Sequence, residues 1–214
     1  MNKKRILYFD MDNVLVDFQS GINRLSEETQ KEYKGRLDEV TGIFSLMDPM
    51  PGAVEAVKLL SQYFDVYILS TAPWKNTSAW SDKAAWVQKY FGDDKESSFY
   101  KRLIISHHKN LNKGDFLIDD RTKNGAGEFE GELMLFGSEK FPNWETVTDY
   151  LRKKITFQEA NDRFMERYEK MSPREKCRIS GDDPCEFYTP EEEAGNKIAA
   201  LEILKRLEEE GILK

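Results

Sequence analysis

Two pairs of aspartates stand at the ends of apolar runs, and their type and spacing suit phosphoryl and metal chemistry. Asp10 and Asp12 follow the run ILYF, and Asp119 and Asp120 close the run FLIDD. In the first pair, one carboxylate can attack an electrophile while the other transfers protons. Four neighbouring carboxylates repel one another, and proton sharing, basic neighbours or a hard cation such as Mg2+ relieves that repulsion. A polar turn that only terminates a strand is the alternative for each pair.

Two further residues could supply phosphate contacts. Thr71 follows the apolar run VYILS, where its hydroxyl and nearby backbone N–H groups could hold a phosphate oxygen. Lys109 lies between two apolar runs and could bring positive charge to the acidic cluster. A turn or cap residue and a solvated surface lysine are the respective alternatives, and position alone does not decide between them.

The remaining candidate ligands are weaker. His107 and His108 have no cysteine or third histidine nearby, which favours a solvated loop pair over a zinc site. Cys177 and Cys185 lack a CxxC spacing, which favours ordinary thiols. Among the tryptophans, which usually pack in cores, Trp74 is the candidate ligand platform because it directly follows the Thr-Ala-Pro loop.

Five short apolar runs predict the strands that position these residues. Segments with apolar residues at helical spacing lie between several of them, over 53–64 and 79–91. This alternation predicts an α/β fold with a mostly parallel sheet. Ligands of such sheets bind beyond the carboxyl ends of the strands, which is where the polar residues fall. The five runs begin at Ile6, Val66, Leu103, Phe116 and Glu132.

Composition narrows the class of protein. A chain of 214 residues with 39% hydrophobic and 33% charged residues predicts a globular domain with an appendage. The apolar runs are too short to cross a bilayer, and the start of the chain lacks the pattern of a signal peptide. The 2 cysteines favour the cytoplasm. The net charge of -7 argues against binding polymeric nucleic acid or a membrane, so an anionic substrate needs a locally positive site.

The character of the chain changes after about residue 152. Residues 1–152 are predicted as the α/β core and residues 153–214 as a helical C-terminal extension. Its first helix, over 155–171, has a capping box made by Thr156 and Glu159, and a charged helix follows over 191–210. A homodimer contact, a lid and a packed extension of the core are all open roles for this segment.

Four segments in this order resemble the haloacid dehalogenase superfamily. They are DMDNV at Asp10–Val14, the second motif at Thr71, Lys109, and IDD at Ile118–Asp120. Within it the chain is similar to the 5'(3')-deoxyribonucleotidase family, through DMDNVLVDF, PMPGAVEAV, AWVQKYFG and KNLNKGDFLIDDR. The resemblance covers roughly residues 5–150. It implies a Rossmann-like haloacid dehalogenase core with a small helical cap inserted after the first motif, at about 18–48.

The resemblance also implies roles for the aspartates. Asp10 is the nucleophile that forms an aspartyl-phosphate, and Asp12 protonates the leaving oxygen and then deprotonates the attacking water. The resemblance places Mg2+ on the Asp10 carboxylate, the Asp12 backbone carbonyl and Asp120, with Asp119 in support.

Substrate contacts follow from the same resemblance. The phosphate-binding residues are Thr71, Lys109 and Lys75. The substrate-binding residues are Phe18, Trp74 and Lys83. The chain also departs from the pattern, because Asn13 replaces the usual Gly and Ala72 replaces a usual Ser.

The resulting hypothesis is a Mg2+-dependent phosphomonoesterase that hydrolyses (deoxy)ribonucleoside monophosphates, small-molecule partners of the enzyme. A haloacid dehalogenase-type phosphatase for another small phosphomonoester is the near alternative. A non-catalytic nucleotide-binding regulatory module is the alternative from a different class. A dehalogenase is disfavoured because that chemistry needs no second acid equivalent to Asp12.

Overall fold

A computed structural model describes residues 4–172, together with Glu175 and Lys205. The helix predicted over 191–210 and both cysteines lie outside these residues. The strands of the described part are β1 (Ile6–Phe9), β2 (Val16–Asp17), β3 (Asp48–Pro49), β4 (Asp65–Ser70), β5 (Leu103–Ile105), β6 (Phe116–Asp119) and β7 (Glu132–Leu135). Its α-helices are α1 (Phe18–Ile22), α2 (Glu27–Glu32), α3 (Ala53–Leu60), α4 (Ser78–Phe91), α5 (Trp144–Arg152) and α6 (Phe157–Lys170).

The main sheet has five strands in the order β5-β4-β1-β6-β7, and every neighbouring pair is parallel. The central strand β1 is almost continuously apolar because helices and loops cover both faces of a parallel sheet. The predicted α/β fold with a parallel sheet is therefore confirmed, and the five predicted strands are the five strands of this sheet.

Strand register brings the predicted site residues to one edge. Phe9 at the end of β1 pairs with Ile68 of β4 on one side and with Ile118 of β6 on the other. The residues that follow these strands therefore leave the sheet at the same edge, within three residues of the paired positions. Asp10 and Thr71 both belong to this edge, together with the acidic pair at the end of β6.

Residues 18–47 form an insertion in the core. The chain leaves through β2 and returns through β3, which pair as a short antiparallel ladder. The insertion contains α1, α2 and two 3-10 turns, Leu37–Glu39 and Ile43–Leu46. Two hydrogen bonds tie it to α4: Trp86 Nε1 donates to Met47 O at 2.9 Å, and Gly42 N donates to Ser78 Oγ at 2.8 Å. We refer to residues 18–47 as the cap.

Helix α4 lies where the sequence predicts a helix, and one stripe of its surface is buried. Its buried residues recur at helical spacing, and the helix ends at Gly92, whose φ of 95° is a conformation that other residues rarely adopt. One member of the stripe is charged. The buried residues are Ala79, Lys83, Trp86 and Val87.

The chain divides into two compact units, one of which is Arg5–Thr148. The described part of the other unit contains α6, which begins with the predicted capping box: Thr156 Oγ1 accepts from Glu159 N, and Glu159 Oε2 accepts from Thr156 N. The predicted domain boundary at residue 152 and the homodimer stay predictions. Among the described residues, no helix combines the length and apolar character that crossing a bilayer requires.

Candidate active site

The loop after β1 is tightly wound and carries the first two aspartates. Asp10 N donates to Ile118 O at 2.9 Å, which extends the β1–β6 ladder by one residue. The amides of three successive residues, 14, 15 and 16, then converge on Met11 O. This turn requires a φ of 57° at Asn13, a left-handed conformation that Asn tolerates better than most residues. The positive φ explains why Gly is usual at this position in the family that the sequence resembles.

Lys109 lies between two buried carboxylates. Its ammonium Nζ is 3.0 Å from Asp10 Oδ1 and donates to Asp119 Oδ2 at 2.5 Å. The three side chains are almost fully buried. The sequence left Lys109 open between a surface lysine and a member of the cluster, and the structure places it in the cluster.

The charges of this group perturb one another. Burial, reinforced by the charge of Asp10, raises the pKa of Asp119 to about 6 against the opposing effect of Lys109. Burial lowers the pKa of Lys109, but the two carboxylates outweigh it and the pKa lies above the usual value for lysine. Lys109 therefore remains a cation that compensates the repulsion between Asp10 and Asp119.

Asp12 has a separate cationic partner. Lys83 Nζ donates to Asp12 Oδ1 at 2.7 Å and to Ser70 Oγ at 3.0 Å. Burial raises the pKa of Asp12, Lys83 opposes that shift, and the charge of Asp10 adds to it. A carboxyl group with a raised pKa can hold the proton that a general acid must deliver.

Three carboxylates offer ligand atoms to a cation. Oxygens of Asp10, Asp119 and Asp120 lie within 4.8 Å of one another. Oδ1 of Asp10 and Oδ1 of Asp120 are both buried without a hydrogen-bond partner, although the first forms an ion pair with Lys109 and the second lies 3.7 Å from Arg121 Nε. Buried acceptors without donors are costly, and a hard cation would satisfy both. These residues therefore fit Mg2+, whereas the carboxylate of Asp12 is turned to Lys83.

A cavity of about 460 Å³ opens beside these groups. Its walls come from the loop after β1, the cap and the loops that follow β4, β5 and β6. The lining residues are Asp12, Asn13, Phe18, Leu37, Asp38, Thr71, Pro73, His107, Arg121 and Asn124.

The predicted substrate contacts fall in different places. Thr71 and Phe18 line the cavity. Lys83 is fully buried against Asp12. Trp74 is 83% exposed and Lys75 lies 3.6 Å from Glu39, and neither is among the cavity-lining residues. The roles assigned to these residues stay predictions.

Arg121 and His107 line the cavity but were not predicted as site residues. Arg121 N donates to Asp119 Oδ1 at 3.1 Å, and its guanidinium group is half-exposed beside Asp120. A signal for it was present, because a basic residue directly follows the second acidic pair. His107 lies in the loop after β5, and this loop leaves the sheet at the same edge as the other motif loops. The prediction of a solvated loop pair did not take this position of His107 into account.

The family described as "5' nucleotidase, deoxy (Pyrimidine), cytosolic type C protein" matches residues 36–166 of the chain. A protein of Vibrio phage KVP40, provisionally named a 5'(3')-deoxyribonucleotidase, is 58% identical over 148 residues, which span 69% of this chain and 85% of that protein. The human mitochondrial 5'(3')-deoxyribonucleotidase is 33% identical over 168 residues, spanning 64% of this chain and 67% of that one.

A solved structure of a HAD-hydrolase from Bacillus subtilis, bound to magnesium, matches 66% of this chain and 90% of its own. The two chains are 16% identical and superpose with a TM-score of 0.41, a likeness too distant to bear on function.

Proposed function

Because the chain belongs to the 5'(3')-deoxyribonucleotidase family and is a phosphatase, we propose that it is a Mg2+-dependent enzyme that hydrolyses deoxyribonucleoside monophosphates through an aspartyl-phosphate. The observation that carries the mechanism is the pairing of each catalytic aspartate with its own buried lysine. Lys109 accompanies Asp10, and Lys83 accompanies Asp12. A cytoplasmic location is part of the proposal and is supported by the low cysteine content.

Asp10 is the proposed nucleophile. It follows the central strand β1, and the hydrogen bond from its backbone amide to Ile118 O fixes its position. Its carboxylate forms an ion pair with Lys109, whose Nζ lies 3.0 Å from Oδ1. An oxygen of Asp10 bonds to phosphorus, and the bond between phosphorus and the ester oxygen breaks. The electron pair of that bond stays with the leaving nucleoside oxygen.

Asp12 moves the protons of both half-reactions. It donates its proton to the leaving oxygen, which departs as the nucleoside hydroxyl. Water then attacks phosphorus, Asp12 takes the proton from that water, and the bond to Asp10 breaks to release phosphate. Asp12 belongs to the cavity wall and has a raised pKa, which supports the first of these steps.

Mg2+ would be held by the Asp10 carboxylate, the Asp12 backbone carbonyl and Asp120, with Asp119 in support. It would neutralise negative charge on the phosphoryl oxygens and orient the phosphate. The two buried acceptors without donors, on Asp10 and Asp120, support this assignment.

The phosphate and the nucleoside would occupy opposite ends of the cavity. Thr71 at the sheet end offers a hydroxyl, and Lys109 and Arg121 supply positive charge near the acidic cluster. Phe18 and Leu37 of the cap offer apolar surface to the nucleoside. Because the net charge of the chain is -7, an anionic substrate needs a locally positive site. The positive charge at the phosphate end of the cavity would provide it.

Phosphate release tests the proposal. The purified protein is offered deoxyribonucleotides, ribonucleotides and small sugar and acid phosphates, each with Mg2+ or with EDTA. We expect turnover to depend on Mg2+. We also expect the enzyme to prefer deoxyribonucleotides over the sugar and acid phosphates by at least about tenfold, equivalent to about 1.4 kcal/mol. The activity of Asp10→Asn should fall below about 0.1% of the wild-type activity. Asp93→Asn, at an exposed position, is the control and should keep its activity.

Each other result has a distinct meaning. A preference for sugar or acid phosphates would keep the phosphatase but replace the nucleotide as its substrate. Nucleotide binding without turnover would contradict the enzyme and favour a regulatory module. Full activity in Asp10→Asn would contradict the assigned nucleophile.

A further inference from the structure

Helix α4 holds a charged residue in its buried stripe. Lys83 is 0% exposed, while its neighbours in the stripe are apolar or aromatic. An ammonium group removed from water costs several kcal/mol unless partners compensate it. The position of Lys83 therefore depends on the groups around its Nζ.

Those groups surround the ammonium. Nζ donates to Asp12 Oδ1 at 2.7 Å and to Ser70 Oγ at 3.0 Å, and it lies 4.7 Å from the ring centroid of Phe44. A lysine has three N–H donors. Two form hydrogen bonds and the remaining side of the ammonium faces an aromatic ring, which leaves no donor for a phosphate oxygen.

Asp12 is consequently held by one of its two oxygens. Oδ1 accepts from Lys83, and the residue also forms part of the cavity wall. An oxygen that accepts from an ammonium is a poor site for a proton, so the acidic proton belongs on Oδ2. Lys83 thereby fixes the rotation of the carboxyl group and leaves Oδ2 as the oxygen that can exchange a proton.

We propose that Lys83 is a positioning residue, which acts through Asp12 and does not contact the substrate. This inference rests on the proposed phosphomonoesterase function. Lys83 holds Oδ1, and the protonated Oδ2 delivers its proton to the leaving oxygen as the phosphorus–oxygen bond breaks. Ser70, at the end of β4, fixes Lys83 in turn.

The ring of Phe44 extends this arrangement to the cap. Phe44 belongs to the 3-10 turn Ile43–Leu46 and contacts Phe18, a cavity-lining residue, with ring centroids 5.9 Å apart. The residue that positions Asp12 therefore also touches the cap segment that borders the nucleoside end of the cavity.

The dependence on the leaving group tests the proposal. A nucleoside alkoxide needs a proton as it departs, whereas 4-nitrophenolate leaves without one. In the transfer of the phosphoryl group to Asp10, which kcat/KM reports, loss of acid positioning therefore affects only the first substrate. We expect Lys83→Met to lower kcat/KM for a deoxyribonucleotide about 100-fold and for 4-nitrophenyl phosphate less than about threefold. Lys89→Met, at an exposed position of the same helix, is the matched control and should behave as wild type.

Ser70→Ala provides a second variant in case Lys83→Met fails to fold, and it should show a smaller loss with the same substrate dependence. When Asp12→Asn is already present, adding Lys83→Met should lower the activity by less than about a further threefold, because Lys83 acts on the reaction only by positioning Asp12. Equal losses of kcat/KM on both substrates in a folded variant would overturn the proposal, as would a loss below about threefold for the deoxyribonucleotide. Inactivity of the wild type on both substrates would instead overturn the proposed function, and this inference with it.

Discussion

Asn13 Nδ2 donates to Asp120 Oδ2 at 2.9 Å, which joins the loop after β1 to the loop after β6. The same residue adopts a φ of 57°, where glycine is the residue usual in the family. Asn meets both requirements, because it tolerates the left-handed conformation and carries an amide donor. The departure from glycine therefore adds a contact to a proposed metal ligand.

Replacing Asn13 separates these two contributions. Asn13→Gly keeps the turn but loses the hydrogen bond, and it should raise the Mg2+ concentration for half-maximal activity about tenfold. Asn13→Ala loses the bond and also strains the turn, so it should be less stable than Asn13→Gly by about 1 kcal/mol. Mg2+ titrations and urea unfolding measure the two effects. An unchanged Mg2+ requirement in both variants would show that the bond to Asp120 does not support the metal.

Lys109→Met removes the cation between two buried carboxylates. Breaking a buried ion pair from one side costs about 3–5 kcal/mol, because the remaining charge is uncompensated. We expect the free energy of unfolding in EDTA to fall by that amount, and Mg2+ to restore part of it. Urea unfolding measures both. Lys113→Met, at an exposed position nearby, serves as the control. A loss below about 1 kcal/mol would mean that solvent reaches the carboxylates.

The sheet was predictable because buried strands are short apolar runs bounded by polar residues. The same logic placed Asp10, Thr71 and Asp119 at one edge, since parallel strands share the direction of their carboxyl ends. The position of Lys109 between two carboxylates was not predictable from its own neighbours. It depends on the pairing of β1 with β6, which brings Asp10 beside Asp119, and a local pattern does not encode that pairing.

The helical spacing around Lys83 indicates that this lysine is buried. Its position four residues after Ala79 and four before Val87 puts it on the buried face of α4. A lysine at such a place predicts a buried acidic partner, but the identity of that partner requires the loop after β1. His107 and Arg121 illustrate the remaining gap, because loops that follow different strands converge only in three dimensions.

Mg2+ should stabilise the folded protein. A ligand present at 100 times its Kd adds about 2.7 kcal/mol to the free energy of unfolding. Thermal unfolding should show a higher Tm with Mg2+ than with EDTA, and Asp120→Asn should reduce that difference by more than half. The exposed Asp93→Asn should retain the full shift. Equal shifts in wild type and Asp120→Asn would remove Asp120 from the proposed ligands.

Trp144 holds the loop after β1 by a side-chain hydrogen bond. Its indole Nε1 donates to Val14 O at 2.9 Å, and the side chain is buried. Trp144→Phe keeps an aromatic ring but leaves the carbonyl without its donor, at a cost of about 1–3 kcal/mol. Urea unfolding should show that loss. Trp80→Phe, at a half-exposed position on α4, should change stability by less than about 0.5 kcal/mol.

Asn76 fixes the cap over the cavity. It is buried, and its Nδ2 donates to Asp38 O and Val40 O, both at 2.9 Å. Leu37 and Asp38 line the cavity, so Asn76→Ala should loosen the wall at the nucleoside end. We expect KM for a deoxyribonucleotide to rise about tenfold, with kcat within about threefold, because the lost contacts serve binding more than chemistry.

The comparison is made well below the unfolding midpoint of Asn76→Ala, because a buried hydrogen-bonding side chain also contributes to stability. Thr77→Ala, at the next and exposed position, is the control. A loss confined to kcat would place the effect of the cap on the reacting groups, through Phe44 and Lys83. Unchanged kinetics in the folded variant would show that the cavity wall does not depend on Asn76.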